Sequence, residues 1–324
     1  MESPSVSRHP DERRKWSGVF PAIPTPFLAN GDLDTDSLAS YVQWLLSHQS
    51  VRGIVCHAHA GEITNLTVDE LAVVAQTVVE ATAGRVPVVA TVQAEGLHPA
   101  TAIARRLERA GADALLVMPP HHWLRFGKTL EESLAYVAGL AEHTRLPLII
   151  HEYPLSTRAG YSLEEILAFA RIPTVVALKS GTRDIAAYSA RIPIFRREVP
   201  WFSILNCHDE AMLPTLIQGV DGVLVALGSL IPDELAEMQA AVDRGDLNAA
   251  RAVERRVAPI VDVMYGSSQP TGRSHALLKA ALHVIGVLPN AVVRPPVQPV
   301  TQGELALVER ALVASGLHPT AATA

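Results

Sequence analysis

Eight short apolar runs recur along the chain, separated by longer stretches of mixed character. The runs are Gly18–Phe27, Gly53–His59, Pro87–Gln93, Ala112–Pro119, Pro147–Tyr153, Thr174–Lys179, Phe202–Cys207 and Gly222–Leu227. Each is nearly continuous in hydrophobicity. A strand covered on one face alternates polar and apolar residues, whereas a strand buried on both faces does not, so these runs predict strands of a parallel sheet. The segments between them space their apolar residues as helices do. They are Asp36–Ser47, Val68–Ala83, Ala100–Ala110, Leu130–His143, Leu163–Ala170, Asp184–Phe195, Glu210–Gln218 and Asp233–Asp243. Local punctuation agrees. Thr67 followed by Glu70 forms a capping box. Gly84 and Gly111 stand where helices should stop. Pro87, Pro147 and Pro173 open strands, where a missing N–H costs little.

Eight strand–helix units between about residue 18 and residue 243 predict an α/β chain folded as a (β/α)8 TIM barrel. A doubly wound open sheet is the rival, but no glycine-rich phosphate loop follows the first run. Helical spacing continues in Leu247–Met264, Ser274–Ile285 and Gln302–Ala314, with the Pro-rich stretch Arg294–Pro299 between the last two. These three additional C-terminal helices are too few for a separate core. The expected organisation is a flexible tail over residues 1–16, a barrel over 17–245, and a helical extension over 246–324 packed on the barrel or at a subunit contact.

Composition narrows the function. The chain has 324 residues, 48% apolar and 19% charged, with 27 Lys plus Arg against 33 Asp plus Glu and a net charge of −6. That balance is globular and does not provide the basic face that nucleic acid requires. Two cysteines make no disulfide framework. No apolar run is long enough to span a bilayer. The first residues lack the apolar core of a secretory leader. The expectation is a cytoplasmic protein with no nucleic-acid or membrane partner.

In such a barrel the chemistry sits at the C-terminal ends of the strands. Those ends read Cys56-His57-Ala58-His59-Ala60-Gly61-Glu62, Pro119-Pro120-His121-His122-Trp123, His151-Glu152-Tyr153-Pro154, Ala177-Leu178-Lys179-Ser180-Gly181 and Asn206-Cys207-His208-Asp209-Glu210. They hold six of the chain's 13 histidines. Lys179 ends a run that has no polar side chain after Thr174. Burial disfavours an ammonium ion, and a neutral amine can attack a ketone to form an imine that draws electrons from the neighbouring carbon. A lysine snorkelling to solvent is the plain alternative.

The run Gly18-Val19-Phe20-Pro21-Ala22-Ile23-Pro24-Thr25-Pro26-Phe27, then Gly61-Glu62 with Leu66-Thr67, then Pro154, then Lys179, resembles the dihydrodipicolinate synthase/N-acetylneuraminate lyase family. The likeness runs from about Gly18 to the C-terminal helices. It implies a class I, Schiff-base barrel enzyme, an aldolase, dehydratase or synthase, acting on pyruvate or another 2-oxo acid and usually assembled as a homotetramer. It also implies that Lys179 is the imine-forming residue, with no cofactor beyond the covalent imine.

The departures are as informative. The family pattern before Gly61-Glu62 is usually G-[ST]-T-G-E, whose hydroxyls hold a carboxylate and relay a proton. His59 and Ala60 occupy those two positions here. Ala60 cannot donate from its side chain; His59 can, and a protonated His59 could hold a carboxylate by charge. The family's strand-5 tyrosine is His151, at the kept separation from Lys179. A histidine titrates near 6.5 against about 10 for tyrosine, which suits it to general acid–base work at neutral pH. His121 and His122 replace a tyrosine-bearing turn after strand 4. The expectation is a proton-handling shell rebuilt in imidazole, with Lys179, His151 and His59 catalytic. Ala60, Gly61, His121, Asp209, Glu210 and Leu224 are expected to bind substrate. Asp209 and Glu210 match an acidic pair that sialic-acid lyase relatives use for hydroxyls, although capping of the next helix explains them equally well.

Strand alternation puts His151 and Tyr153 on one face and Glu152 on the other. Tyr153 could supply the phenol missing at position 151, and Arg158 could bind a carboxylate. Cys56 and Cys207 read as packed thiols. Two rival functions follow from the same residues: a metal-dependent hydrolase using the histidine cluster, and a non-catalytic 2-oxo-acid-binding module. The expected reading is a Schiff-base lyase acting on a small 2-oxo acid, in a homo-oligomer that is a tetramer or a dimer.

Overall fold

The computed structural model describes residues 16–266 and 272–317. Eight parallel strands form one sheet: β1 Gly18–Pro21, β2 Ile54–Cys56, β3 Val88–Val92, β4 Ala114–Val117, β5 Leu148–His151, β6 Val175–Ser180, β7 Ser203–Asn206 and β8 Gly222–Val225. Seven lie inside the expected apolar runs, and β6 passes the end of its run by one residue, Ser180. The order β1-β8-β7-β6-β5-β4-β3-β2 wraps the sheet round so that its two ends meet. Seven junctions are parallel ladders, the one between β5 and β6 carrying a register shift between Leu148 and Ile149. The eighth, between β1 and β2, consists of the isolated bridges Val19–Val51 and Ala22–Val55. The strand residues are almost all buried, because each is covered inside by the barrel core and outside by helices.

The helices are α1 Thr35–Ser47, α2 Val68–Thr82, α3 Leu97–Arg109, α4 His122–Phe126, α5 Leu130–His143, α6 Leu163–Ala170, α7 Ile185–Glu198, α8 Met212–Ile217, α9 Pro232–Asp243, α10 Leu247–Tyr265, α11 Arg273–Val284 and α12 Gln302–Ala314. Thr67, Thr129, Ser162 and Thr301 head capping boxes on α2, α5, α6 and α12. Helix α4 has no sequence signal because its cap is distant. The Glu95 carboxylate accepts from the His122 N–H at 2.7 Å and the His121 N–H at 3.3 Å. Helix α8 starts two residues later than its pattern suggests, since Asp209 and Glu210 turn their carboxylates elsewhere instead of capping it.

The C-terminal helices pack against the barrel and each other, α10 on α9 and α12, and α11 on α12. A buried ion pair fixes α11 to the barrel mouth. Lys279 Nζ lies 2.5 Å from Glu62 Oε1, with side chains only 1% and 2% exposed. Lys279 also donates to the Val292 carbonyl, and the backbone N–H of Arg294 donates to the other Glu62 oxygen. The N-terminal tail expected from sequence lies outside the described residues up to position 15. Trp16, grouped with it, is buried instead: its indole packs on Phe20 and its backbone N–H donates to the Ser203 hydroxyl.

Candidate active site

The strand-2 end is a tight turn. His57 and Glu62 adopt left-handed backbone, with φ of 39° and 57°. Gly61 passes so close beneath that a Cβ there would stand 2.6 Å from His57 Cα and 3.0 Å from the Ile23 carbonyl oxygen. The Thr25 hydroxyl donates to the Gly61 carbonyl at 2.8 Å. Thr25, on the chain after β1, is thereby tied to this turn, and the turn delivers His59 and Ala60 to the barrel mouth.

Lys179 sits in β6 beside His151 of β5, its register partner. It is 5% exposed and lines a cavity of about 350 Å³ at the C-terminal ends of the strands. His59, Ala60, Asp209 and Leu224 line the same cavity. Five residues expected from sequence at the site are therefore gathered round one space. His151 adjoins them, its ring centroid 5.5 Å from that of His59. His121 stands one ring further out, 6.4 Å from His59. Gly61 serves the backbone turn and Glu210 pairs with Arg183; neither lines the cavity. The hydroxyl-binding expectation for Glu210 is thus unsupported by its placement, because a guanidinium already occupies its carboxylate.

Electrostatics alter one expected role. Burial, and then the charge of Lys179, push His59 down to about 3. The same causes hold His151 well below the ordinary histidine value. Both rings are neutral at pH 7, so His59 meets a substrate as a neutral hydrogen-bonding group rather than as a cation. Asp209 moves the other way: burial raises it to about 6 although it accepts from the Leu227 N–H at 2.6 Å. That bond ties the end of β7 to the loop after β8 and replaces the helix-capping role.

Tyr153 does more than fill space. Its hydroxyl lies 3.0 Å from His59 Nε2 and 2.7 Å from His121 Nε2, and its ring packs edge-on against His151 at 5.2 Å. Glu152, on the other strand face, is buried with Arg191 and the Ser180 hydroxyl, both at 2.7 Å. Arg158 is exposed and donates to the Arg125 carbonyl, outside the cavity. Cys56 is a packed thiol. Cys207 lines the cavity, its sulfur 3.7 Å from His151 Nε2. Its partner is thus a histidine on the adjacent half of the barrel rather than its sequence neighbour His208.

Four cavity residues with polar side chains were not singled out from sequence. Arg183 lies just past the strand-6 end, where the strand-end rule extended by one turn would have found it. Tyr265, Ser274 and His275 come from the end of α10 and the start of α11. No strand-based rule reaches those. The metal-hydrolase reading has no site in this arrangement. His57 accepts from the Thr91 N–H, His122 bonds Glu95, and His208 stacks edge-on against Tyr188. Among the described residues no three His, Cys, Asp or Glu side chains converge as metal ligands.

The fold and this constellation define a (β/α)8 barrel with a strand-end lysine in a cavity walled by neutral imidazoles. The chain belongs to the dihydrodipicolinate synthetase family, whose model matches residues 15–315. It is 31% identical over 307 residues to a 4-hydroxy-tetrahydrodipicolinate synthase of Kineococcus radiotolerans, covering 94% of this chain and 95% of the relative. Among solved structures it resembles the chloride-inhibited dihydrodipicolinate synthase of Acinetobacter baumannii complexed with pyruvate. That match has a TM-score of 0.82 and 25% identity, and covers 93% of this chain and 99% of the other. A prophage protein of the family from E. coli K12, in complex with pyruvate, matches with a TM-score of 0.85, 22% identity and coverage of 93% and 99%. The fold expected from sequence is thereby established.

Proposed function

We propose that the chain is a Schiff-base-forming lyase of the aldolase or dehydratase type, acting on pyruvate or a pyruvate-derived 2-oxo acid. The observation that carries this reading is Lys179, buried at the end of β6 and lining a cavity of about 350 Å³, roomy enough for a small molecule. The Lys179 amine, in its free-base form, attacks the substrate ketone. The carbinolamine loses water, and the resulting iminium draws electrons from the adjacent carbon. That permits C–C cleavage, aldol addition, or loss of a hydroxyl from C3 or C4. His151, beside Lys179, carries protons to and from the carbinolamine oxygen. His59 serves the carbon next to the imine. The substrate carboxylate lies against the turn at Ala60, whose backbone N–H survives although the family hydroxyl is gone. Asp209 and the Leu224 carbonyl face the rest of the substrate. General acid–base help of this kind contributes about 10²–10⁴-fold. The mechanism uses no cofactor besides the covalent imine.

The reading extends to assembly and location. Among the described residues no helix is long and apolar enough to cross a membrane, which agrees with a cytoplasmic enzyme. Leu124, Phe126 and Leu155 present an exposed apolar patch, Phe126 at 70%, and a homo-oligomer, tetramer or dimer, would cover it. The C-terminal extension belongs functionally to the barrel because its helices supply part of the cavity wall. Borohydride trapping is the test. Pyruvate plus borohydride should add a stable mass to Lys179 and none to the Lys179→Ala variant. Reversible pyruvate binding with no adduct would return the reading to a binding module.

A further inference from the structure

The hydrogen-bond geometry around Tyr153 fixes more than position. A phenol has one proton and each neutral imidazole has one N–H. Tyr153 OH contacts Nε2 of both His59 and His121, and its remaining neighbour, Met118 Sδ at 3.9 Å, is a far weaker acceptor than an imidazole nitrogen, so the hydroxyl donates to one ring and accepts from the other. The two rings are therefore opposite tautomers. Gln93 decides which is which. Its amide nitrogen stands 3.3 Å from a Glu95 carboxylate oxygen, which accepts from it and orients the amide. The same nitrogen lies 3.5 Å from His121 Nδ1. An N–H pointing at Nδ1 makes that nitrogen an acceptor, so His121 carries its proton on Nε2. His121 then donates to Tyr153, Tyr153 donates to His59 Nε2, and His59 keeps its own proton on Nδ1.

We propose that Tyr153 is a positioning residue whose hydroxyl couples His59 to His121 in a one-way chain, making His59 an Nδ1–H donor and resupplying it from the barrel rim. The proposal rests on the lyase reading only for what the proton does, not for the tautomers. The proton balance closes. His59 Nδ1–H gives its proton to a carbanionic or enamine carbon. The Tyr153 hydroxyl proton passes to His59 Nε2, the His121 Nε2 proton passes to the Tyr153 oxygen, and a solvent proton takes His121 Nδ1 as the Gln93 amide turns its oxygen toward that nitrogen. Every group ends neutral, and both rings end in the opposite tautomer. Run backwards, the chain takes a proton from carbon. One relay therefore serves both removal and return without creating a buried imidazolium. This matches His59, which burial keeps uncharged. His151 stands outside the chain, since its Nε2 meets Cys207 and its Nδ1 has no hydrogen-bond partner.

Nitrogen NMR on histidine-labelled full-length protein reads the tautomers directly, without substrate. His59 protonated on Nδ1 and His121 on Nε2 is the expected result. Gln93→Glu replaces the donor by an acceptor and should reverse both rings. Like tautomers in the two rings, or no reversal in Gln93→Glu, would overturn the proposal. The functional arm follows exchange of pyruvate C3 hydrogens in D2O. Tyr153→Phe should keep the borohydride adduct on Lys179 and slow exchange by about 10²-fold. Exchange at the wild-type rate, or a loss only in step with the adduct, overturns the relay. A wild-type protein that forms no adduct with pyruvate strikes the lyase reading and leaves the tautomer result standing.

Discussion

Acid should destabilise this protein before most of its carboxylates titrate. His57, His151 and His208 are buried to 3% exposure or less. Burial is the largest cause that holds each below the ordinary histidine value, His57 at about 3 and His208 at about 4. In the unfolded chain each titrates near 6.5. A folded value below the unfolded one means stability that is complete above about pH 6.5 and drains away as pH falls, because only the unfolded state takes the protons. Between pH 7 and pH 5 His57 and His208 then cost about 1.9 kcal/mol each, and His151 adds to them in the same direction. Asp209 opposes them. Its folded value is raised to about 6, so the native state gains a proton over the same window and recovers about 1.4 kcal/mol. Glu70 and Glu304, held at about 2 by their Arg294 and Arg273 partners, lose their contribution only below about pH 4.5. The net loss from the groups with a stated value is about 2 kcal/mol, to which His151 adds, an appreciable part of the roughly 5–15 kcal/mol typical of a folded domain. Urea unfolding midpoints at pH 7, 6 and 5 measure it. His57→Asn, which tolerates the left-handed backbone, should flatten the dependence by up to about 1.4 kcal/mol per pH unit. A midpoint that holds steady or rises from pH 7 to pH 5 refutes the reasoning.

Two further outcomes follow from the structure. Lys279→Met leaves Glu62 buried with only the Asn65 and Arg294 donors and should cost about 3 kcal/mol. Glu62→Gln added to it should restore part of that in the same urea assay. His151→Phe should retain the Lys179 adduct while turnover drops at least about 10²-fold; turnover near wild type would remove His151 from the proton path.

The barrel was legible because both-face burial leaves unbroken apolar runs and because most helix caps are local, as at Thr67. Helix α4 was hidden because its cap comes from Glu95 on another loop. The cavity floor was legible for the same reason as the barrel: strand ends converge, so Lys179, His59 and Asp209 meet although they are far apart in sequence. Tyr265 and His275 were not, because helical periodicity shows which face is apolar and not which end reaches over a barrel mouth. The expected cationic role of His59 failed on environment. Residue type supplied a nominal pKa near neutrality, while the lysine beside it and the surrounding walls decide the real one. Tyr153 carried only parity in the sequence; that it touches two imidazoles depends on the register of three strands.

The ring of strands has one thin join. Where β1 meets β2 only the Arg52 and Ile23 amides reach across, to the carbonyls of Val19 and Val55. Ala22 flanks the cavity on one side of that join, and Ala58 and Ala60 flank it on the other. The wall with the smallest side chains is therefore also the wall with the fewest cross-ties. Give in the barrel should concentrate there, while Lys179, whose strand pairs with both of its neighbours, keeps its place.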